Sequence, residues 1–252
     1  MFIDTHTHIY SEEFNEDYDE VIKRTYEAGV MKLIYPDIDS KSRNIMLEKA
    51  AQDDRIYPLI GLHPTSVKED YKEELNLMES YLAKTKIYGI GECGIDLYWD
   101  KTWYKEQIYV FEYQLAIARE MNLAVSIHAR KSLNEIFTSL KKYPYVKGVL
   151  HCFPGSDEDA KRAIDLGMKL GIGGVVTFKN ASMAKVVSQV GVDQLVLETD
   201  SPYLTPVPHR GKRNESSYIP IIANKVAELT GLDISEVERV TTENAIKLFT
   251  LE

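Results

Sequence analysis

The chain alternates between short apolar runs and longer amphipathic stretches, and this alternation limits its possible folds more than any other feature. Near-continuous apolar runs are typical of parallel strands buried on both faces, and the amphipathic stretches are typical of helices. Eight such units predict a closed parallel barrel, with an open sheet of eight parallel strands as the alternative. The runs are Phe2–His8, Lys32–Pro36, Tyr57–His63, Ile87–Gly94, Ala124–Arg130, Lys147–Phe153, Lys169–Phe178 and Leu195–Pro202.

The chain has 252 residues, close to the roughly 250 residues of one (β/α)8 barrel. Length alone also allows two smaller domains, but no linker or repeat divides the sequence. We therefore predict an α/β fold in which residues 1–252 form a single (β/α)8 TIM barrel with an additional C-terminal helix. Gly29 and Gly167 follow two predicted helices, where glycine is common, and Ser235 is predicted to begin a capping box for the last helix.

Charge and cysteine content narrow the class of protein. The net charge of −9 argues against a protein that wraps nucleic acid along a basic surface, but not against an enzyme that engages one short end. The sequence has no secretory signal pattern and no run of about 20 apolar residues that would span a membrane. Since Cys93 and Cys152 are the only cysteines, a reducing, cytoplasmic location is expected. No obligate protein partner is predicted.

The histidines are the main functional signal. Five of the six lie at or near the carboxyl ends of predicted strands, and the sixth lies in the loop after the last strand. Histidines that only fill a core would not collect at one end of the strands, and in a barrel that end carries the active site. The six are His6, His8, His63, His128, His151 and His209.

Strand geometry brings several of these side chains to one face. His6 and His8 are two residues apart, so both point the same way and can hold one cation together. His128 and His151 end the fifth and sixth strands. Glu92 ends the fourth strand, where a carboxylate is costly unless it is paired or coordinated. Its two oxygens would let it bridge two metals, and a buried salt bridge is the alternative.

Other residues near the strand ends receive supporting roles. We predict that Asp200, before Ser-Pro at the end of the eighth strand, is a metal ligand and the general base, with a turn cap as the alternative. Glu198 is predicted to support a ligand from behind. His63 is predicted to orient the substrate or act on the leaving group. Cys93 and Cys152 adjoin proposed ligands but are predicted to be packed thiols that face the helices.

The loop Pro206–Ser217 carries the predicted substrate-binding residues. Guanidinium groups suit phosphate through paired donors, and a solvated surface turn is the alternative. In the loop after the fourth strand, Tyr98, Trp99 and Trp103 can stack on a base or pack against a neighbouring loop. The cationic residues of the loop Pro206–Ser217 that we assign to substrate binding are Arg210, Lys212 and Arg213.

In this order, the motifs of the chain resemble those of the TatD-related deoxyribonucleases of the metal-dependent hydrolase superfamily. The resemblance runs from Phe2 to Phe249. It implies a (β/α)8 barrel, two divalent metal ions and hydrolysis of phosphodiester bonds, often from the 3′ end of DNA. The motifs are Phe-Ile-Asp-Thr-His-Thr-His at 2–8, Gly-Leu-His-Pro at 61–64, Gly-Glu-Cys-Gly-Ile-Asp at 91–96, Ile-His-Ala-Arg at 127–130, His-Cys-Phe at 151–153, Leu-Glu-Thr-Asp-Ser-Pro-Tyr-Leu at 197–204, His-Arg-Gly-Lys-Arg-Asn-Glu at 209–215 and Thr-Thr-Glu-Asn-Ala at 241–245.

The resemblance also implies a ligand set that agrees with the strand-end residues. Two positions depart from the family pattern: Ser216 stands where a proline is expected, and Lys131 where an acidic residue is expected. Both departures bear on substrate fit and on the rigidity of the loop rather than on metal binding. The implied ligands are His6, His8, Glu92 and Asp200 for one metal, and Glu92, His128 and His151 for the other.

We therefore expect a two-metal phosphodiesterase whose substrate is DNA with short or single-stranded ends. The ions, which are zinc, magnesium or manganese, would lower the pKa of a water, and Asp200 would take its proton. Two alternatives stay open: an amidohydrolase or deacylase that uses the same site on a carbonyl, and a catalytically silent binding protein. The activity of an amidohydrolase or deacylase would depend little on Arg210 and Arg213, and a silent binding protein would turn over no substrate.

Overall fold

Eight β-strands alternate with helices in the computed structural model, which describes residues 1–252. The predicted α/β class is confirmed, and each strand overlaps one of the eight apolar runs. The first, third, sixth, seventh and eighth runs extend three or more residues beyond their strands. In the seventh, the chain turns into a 3-10 helix at Gly174–Thr177, where Gly174 lies against the Leu204 carbonyl. The strands are β1 Phe2–Asp4, β2 Val30–Tyr35, β3 Ile56–Pro58, β4 Gly89–Asp96, β5 Ala124–Arg130, β6 Gly148–Leu150, β7 Met168–Ile172 and β8 Leu195–Leu197.

Nine α-helices connect and follow the strands: α1 Tyr18–Glu27, α2 Ser40–Gln52, α3 Tyr71–Leu82, α4 Tyr104–Met121, α5 Leu133–Lys142, α6 Asp157–Asp165, α7 Ser182–Val190, α8 Ile219–Thr230 and α9 Ile234–Phe249. Gly29 and Gly167 adopt positive φ angles of 82° and 84° just beyond α1 and α6, as their sequence positions predicted. The predicted cap at Ser235 was wrong, because α9 begins at Ile234 and Asp233, two residues before Ser235, occupies the N-cap position. None of these helices is long and apolar enough to cross a membrane.

All paired strands are parallel, so their carboxyl ends lie on one side of the molecule. β1 to β3 form one sheet and β4 to β8 form another, with the strands in chain order. The two sheets are joined at both edges of the smaller one. A parallel bridge links Thr7 to Ser201 at one junction, and another links Ile60 to Ile90 at the other.

The last helix covers the amino-terminal side of the strands. Ala245 and Phe249 of α9 pack in one buried apolar cluster with Ile3, Ile34 and Val196, which come from β1, β2 and β8. A larger apolar cluster joins the strands to the surrounding helices. Because α9 covers the amino-terminal side, the carboxyl-terminal side is the one that this helix leaves open.

A buried ion pair lies directly beside β4. Arg43 and Asp37 are both fully buried, and Arg43 Nε donates to Asp37 Oδ2 at 2.6 Å. The same carboxylate oxygen accepts from Gly61 N at 3.2 Å. The backbone of Asp37 holds the Gly91–Glu92 segment, since Glu92 N donates to Asp37 O at 2.8 Å and Asp37 N donates to Gly91 O at 2.9 Å. The ion pair therefore fixes the segment from which the Glu92 side chain projects.

Replacement of Arg43 by methionine is expected to lower the free energy of unfolding by about 3–5 kcal/mol, because Asp37 is then left buried without its partner. Urea unfolding followed by circular dichroism measures the change. Arg239→Met is the control, since Arg239 makes only exposed ion pairs with Glu236 and Glu243, and it should leave the stability unchanged. If both variants unfold at the same urea concentration as the wild type, the buried pair contributes nothing to stability.

Candidate metal centre

Seven ionisable side chains collect at the carboxyl ends of the strands. Two of them follow β1. Strands β4 and β5 each contain one, and one residue follows each of β3, β6 and β8. Five of them are buried and the other two are half-buried. In chain order they are His6, His8, His63, Glu92, His128, His151 and Asp200.

Glu92 lies at the centre of this cluster, and its two oxygens face different histidines. Its Oε2 lies 3.2 Å from His6 Nε2 and 3.5 Å from His8 Nε2. The carboxylate therefore divides the cluster into two groups of nitrogen donors, one beside each oxygen. The donors beside Oε1 are His63 Nε2 at 3.1 Å, His128 Nδ1 at 3.0 Å and His151 Nε2 at 2.9 Å.

Hydrogen bonds on the far side of two rings fix which nitrogen presents a lone pair to the cluster. His128 Nε2 lies 2.9 Å from Asp96 Oδ2, an acceptor, so Nε2 carries the proton and Nδ1 the lone pair. The Tyr10 hydroxyl donates to Pro36 O at 2.5 Å. Its oxygen therefore accepts from His8 Nδ1, which lies 2.8 Å away, and His8 Nε2 holds the lone pair.

The rings of His6 and His151 stack on each other, with their centroids 3.9 Å apart. His6 Nδ1 lies 3.1 Å from Ser126 Oγ, which can accept its proton. His151 Nδ1 has no hydrogen-bond partner, and its nearest carboxylate oxygen is Glu198 Oε1 at 3.8 Å. Glu198 is fully buried and accepts the backbone N–H of Cys152. It thus lies behind a predicted ligand, and burial raises its pKa to about 8.

His63 presents the opposite nitrogen chemistry to Glu92. Its Nδ1 accepts the backbone N–H of Thr65 at 3.2 Å, so the proton of the neutral ring lies on Nε2. Burial lowers the pKa of His63, which favours that neutral form. His63 Nε2 therefore donates to Glu92 Oε1 instead of offering it a lone pair. This geometry is compatible with the predicted role toward the substrate or leaving group, which stays a prediction.

The donor set fits divalent metal ions. Burial raises the pKa of Glu92, but the histidines around it outweigh burial and hold it well below its usual value, so the carboxylate is ionised. Burial lowers the pKa of His151, but Glu92 outweighs burial and raises it to about 10. His6 Nε2 and His8 Nε2 lie only 3.2 Å apart, and two lone pairs at that distance repel unless a cation or a proton lies between them. Burial lowers the pKa of His6 well below its usual value, which disfavours a proton. Two nitrogen ligands of a tetrahedral zinc ion lie about 3.3 Å apart, given bonds of about 2.05 Å.

Asp200 completes the predicted set beside His6 and His8. Its Oδ1 lies 3.8 Å from the Nε2 atom of each ring, and 16% of its side chain is exposed. Its backbone N–H donates to His6 O at 2.9 Å, so the end of β1 positions it. Burial raises the pKa of Asp200. The carboxylate is thus placed both to contribute an oxygen ligand and to accept a proton from a water.

Asp96 is a site residue that the sequence analysis missed. Besides its contact with His128, its Oδ1 accepts the backbone N–H of Tyr98 at 2.8 Å and of Trp99 at 3.2 Å. Burial raises the pKa of Asp96, but these hydrogen bonds outweigh it and lower the pKa to about 2. A signal for it was present, because Asp96 is four residues after Glu92 in β4 and so faces the same side.

The cluster opens into a cavity of about 990 Å³. On the side of β1 and β2, acidic residues line its rim, and Lys41 is the one cation there. On the side of β4 and β5, the rim carries Trp99 and Arg130. The cavity is therefore polarised, with most negative charge on one side and an aromatic ring with a guanidinium group on the other. The acidic rim residues are Glu12, Glu13 and Asp39.

The structure does not bring Arg210, Lys212 or Arg213 into the lining of this cavity. The Arg210 guanidinium lies 4.0 Å from the centre of the Phe178 ring. Arg213 Nη2 donates to Asp17 Oδ2 at 2.6 Å, so this cation is already paired. Their role in substrate binding stays a prediction that the cavity does not support.

The loop that carries these cations is anchored despite the serine at position 216. Ser216 is fully buried, and its Oγ donates to Asp4 Oδ2 at 2.6 Å. Asn214 Nδ2 donates to Thr199 O at 2.8 Å. These bonds tie the loop to β1 and to the segment after β8.

The two thiols and the second tryptophan take structural positions. Cys93 is fully buried in the apolar core, as predicted, and its Sγ donates to Ser126 O at 3.5 Å. Cys152 is half-buried and does not line the cavity. Trp103 packs against the core, whereas Trp99 lines the cavity. Of the aromatic residues predicted after the fourth strand, Trp99 is thus the one that a substrate can reach most directly.

Imidazole and carboxylate groups that converge at the carboxyl ends of parallel strands are typical of metal-dependent hydrolases. The family model described as TatD related DNase matches residues 3–250 of the chain. The chain therefore belongs to the TatD-related family of metal-dependent hydrolases.

Individual relatives agree with this assignment. The chain is 39% identical over 252 residues to the uncharacterized metal-dependent hydrolase YabD of Bacillus subtilis, and the match covers 99% of each protein. It is 31% identical over 260 residues to a protein of Pantoea ananatis named 3′-5′ ssDNA/RNA exonuclease TatD, covering 98% of this chain and 99% of that protein. The fold is similar to the crystal structure of the TatD homologue YjjV from Escherichia coli, with a TM-score of 0.94, 28% identity and coverage of 100% of this chain and 98% of that one.

The Cys93 thiol is expected to react with a thiol reagent only when the protein unfolds, because it is fully buried and burial raises its pKa. The rate of labelling by Ellman's reagent in a Cys152→Ser protein, compared with the rate of unfolding, measures this. A Cys93→Ser protein reports Cys152 alone as the comparison. Rapid labelling of Cys93 in the folded protein would contradict the packed position.

Proposed function

We propose that the protein is a divalent-metal-dependent phosphodiesterase that removes nucleotides from the 3′ ends of short or single-stranded DNA. One observation carries the proposal: the two oxygens of the buried, ionised Glu92 carboxylate face separate groups of imidazole nitrogens. This arrangement suits a carboxylate that bridges two cations. Membership of a metal-dependent hydrolase family supports the reaction class, and the name of the Pantoea ananatis relative supports nucleic acid as the substrate.

Two groups of side chains would hold the two ions. Imidazole nitrogens favour zinc, whereas carboxylates and a phosphate substrate admit magnesium or manganese. When bound, the ions lower the pKa of a water and neutralise charge that develops on the phosphoryl oxygens. The proposed groups are His6, His8, Glu92 and Asp200 for one ion, and Glu92, His128 and His151 for the other.

The protein's own side chains would accept and donate the protons of the reaction. Asp200 Oδ1 faces the cavity beside His6 and His8 and is proposed to accept the proton of the attacking water. His63 Nε2 carries a proton in its favoured tautomer and is proposed to donate a hydrogen bond to the leaving oxygen. Asp96 keeps the proton of His128 on the far side of the ring, which leaves the lone pair of His128 toward the cluster.

The proposal includes a closed (β/α)8 barrel formed by residues 1–252 as one domain. The bridges Thr7–Ser201 and Ile60–Ile90 support closure, because they join both edges of the smaller sheet to the larger one. In such a barrel the ends of all strands surround one cavity. Ligands that follow β1 and ligands that follow β6 can then share the single carboxylate of Glu92.

Replacement of Asp200 by asparagine is expected to lower nucleotide release by about 10³-fold, because the amide cannot accept the proton. Chelator-treated protein is assayed on a 5′-labelled single-stranded DNA after separate additions of magnesium, manganese and zinc. Asp193→Asn is the matched control, since Asp193 is exposed and precedes β8, at the end of the strand opposite to Asp200. Asp200→Asn protein with near-normal activity would exclude Asp200 as the base. Bound metal without DNA cleavage under any ion would redirect the proposal to an amide, ester or small phosphoester.

Replacement of Asp96 by asparagine is expected to weaken divalent-metal binding by about 10- to 100-fold. The carboxylate accepts from His128 with one oxygen and from the Tyr98 and Trp99 backbones with the other, whereas an amide has a single, uncharged acceptor oxygen. Competition with a chromophoric chelator measures the affinity without any need for turnover. Asp100→Asn is the control, because the Asp100 carboxylate hydrogen-bonds only Thr102 and Lys68 and does not line the cavity of the metal centre. Equal affinities in the wild-type and Asp96→Asn proteins would show that His128 does not depend on Asp96 for metal binding.

A further inference from the structure

We propose that Trp99 and Arg130 form a nucleotide-binding subsite on the rim of the metal centre, in which Trp99 stacks on the terminal base and Arg130 binds a phosphate of a single-stranded end. The inference rests on the proposed function and specifies the substrate that the cavity would take. It assigns substrate binding to β4 and β5 instead of the loop Pro206–Ser217.

Arg130 is the cation best placed for a phosphate near the cluster. It lies two residues after His128 in β5, so its side chain leaves the strand on the same face. Its guanidinium lies 4.1 Å from the centre of the Tyr98 ring and 5.1 Å from that of the Trp99 ring. These rings orient the guanidinium without neutralising it, and no carboxylate pairs with it in the structure. Its donors therefore remain available for phosphate oxygens.

Trp99 offers an open aromatic face at the same edge of the cavity. Its side chain is 68% exposed, and it shares the cavity lining with Glu92, His128 and Arg130. The neighbouring Tyr98 ring packs edge-on against the indole at 4.9 Å, which supports one side and leaves another free. A base can stack on an exposed indole whatever its sequence identity.

Asp96 couples this subsite to the metal centre. One of its oxygens contacts His128, and the other accepts the backbone N–H groups of Tyr98 and Trp99. A single buried carboxylate thus sets the orientation of a proposed ligand and the position of the stacking residue. A base held by Trp99 would therefore lie at a fixed distance from the proposed reacting phosphate.

The charge on the rim favours one path for the bound strand out of the cavity. Glu12, Glu13 and Asp39 line the β1 and β2 side of the cavity and would repel a phosphate chain. Arg130 lies on the opposite side, with Trp99. The remaining nucleotides would consequently leave the cavity over β4 and β5. Stacking on Trp99 needs an unpaired base, so the substrate class is a single-stranded end rather than an intact duplex.

The chain allows a direct optical test, because Trp99 and Trp103 are its only tryptophans. In a Trp103→Phe protein, all indole fluorescence comes from Trp99. A short single-stranded DNA is expected to quench this fluorescence, and the same DNA with an abasic 3′ end is expected to quench it far less. The titration is made with an added Asp200→Asn substitution and again with chelator present, so that binding is read without cleavage.

Variants separate stacking from charge. Because the Trp99 variants lose the indole signal, Kd values of all variants are measured from the fluorescence anisotropy of a 5′-fluorescein-labelled DNA. Trp99→Ala is expected to raise the Kd of the normal DNA about tenfold and to leave the Kd of the abasic DNA unchanged, while Trp99→Phe retains most of the affinity. Arg130→Gln is expected to raise the Kd of both DNAs about tenfold, since both carry the phosphates. Tyr145→Ala and Arg239→Gln are the controls, because Tyr145 is 94% exposed and neither residue lines the cavity.

The outcomes keep the two proposals apart. Quenching by normal DNA that disappears with the abasic end supports the subsite, even if no ion restores cleavage and the proposed phosphodiesterase activity fails. Cleavage of DNA with unchanged Kd values in Trp99→Ala and Arg130→Gln overturns the subsite and leaves the proposed activity standing. Equal quenching by normal and abasic DNA would also overturn the assignment of Trp99 to the base.

Discussion

The buried carboxylate of Glu92 imposes the constraint on which the rest of the site depends. A negative charge in this position is tolerated only if neighbouring groups compensate it. Five imidazole rings surround it at 2.9 to 3.5 Å, and in the proposed function four of them would hold the compensating metal ions. Its backbone is held by Asp37, whose own buried carboxylate is compensated by Arg43. Two layers of charge compensation thus extend from the cavity into the core. The fold provides these layers because parallel strands end side by side at the same face.

The histidines around Glu92 are not equivalent, and their outer hydrogen bonds make the difference. Ser126, Tyr10 and Asp96 lie where they can accept protons from three of the rings, which leaves lone pairs toward the cluster. Thr65 donates to His63, so that this ring turns a proton toward Glu92 instead. The same residue type therefore supplies both donors for a cation and one group that can hold a proton. Asp96 contacts both His128 and the backbone N–H groups of Tyr98 and Trp99, so it links the orientation of a proposed ligand to the position of Trp99.

The sequence by itself determined the α/β class and which strand-end side chains share a face. Both follow from local periodicity: alternation in a strand is fixed by backbone geometry, and near-continuous apolar runs separate strands from amphipathic helices. His6 and His8 could be assigned together for this reason, and so could the position of Glu92. The same alternation pointed to Asp96, although the sequence analysis did not use it.

Only the tertiary structure decided which ring nitrogens face Glu92 and which cations reach the cavity. Those features depend on partners that are distant in the chain: Ser126 lies 120 residues from His6, and Asp17 lies 196 residues from Arg213. Spacing along a strand reports the face on which a side chain leaves the backbone, but it carries no information about the atom that the side chain meets. Loop cations such as Arg213 have no such periodicity. Their direction is set by packing and ion pairing between loops, which form only when the strands have brought those loops together.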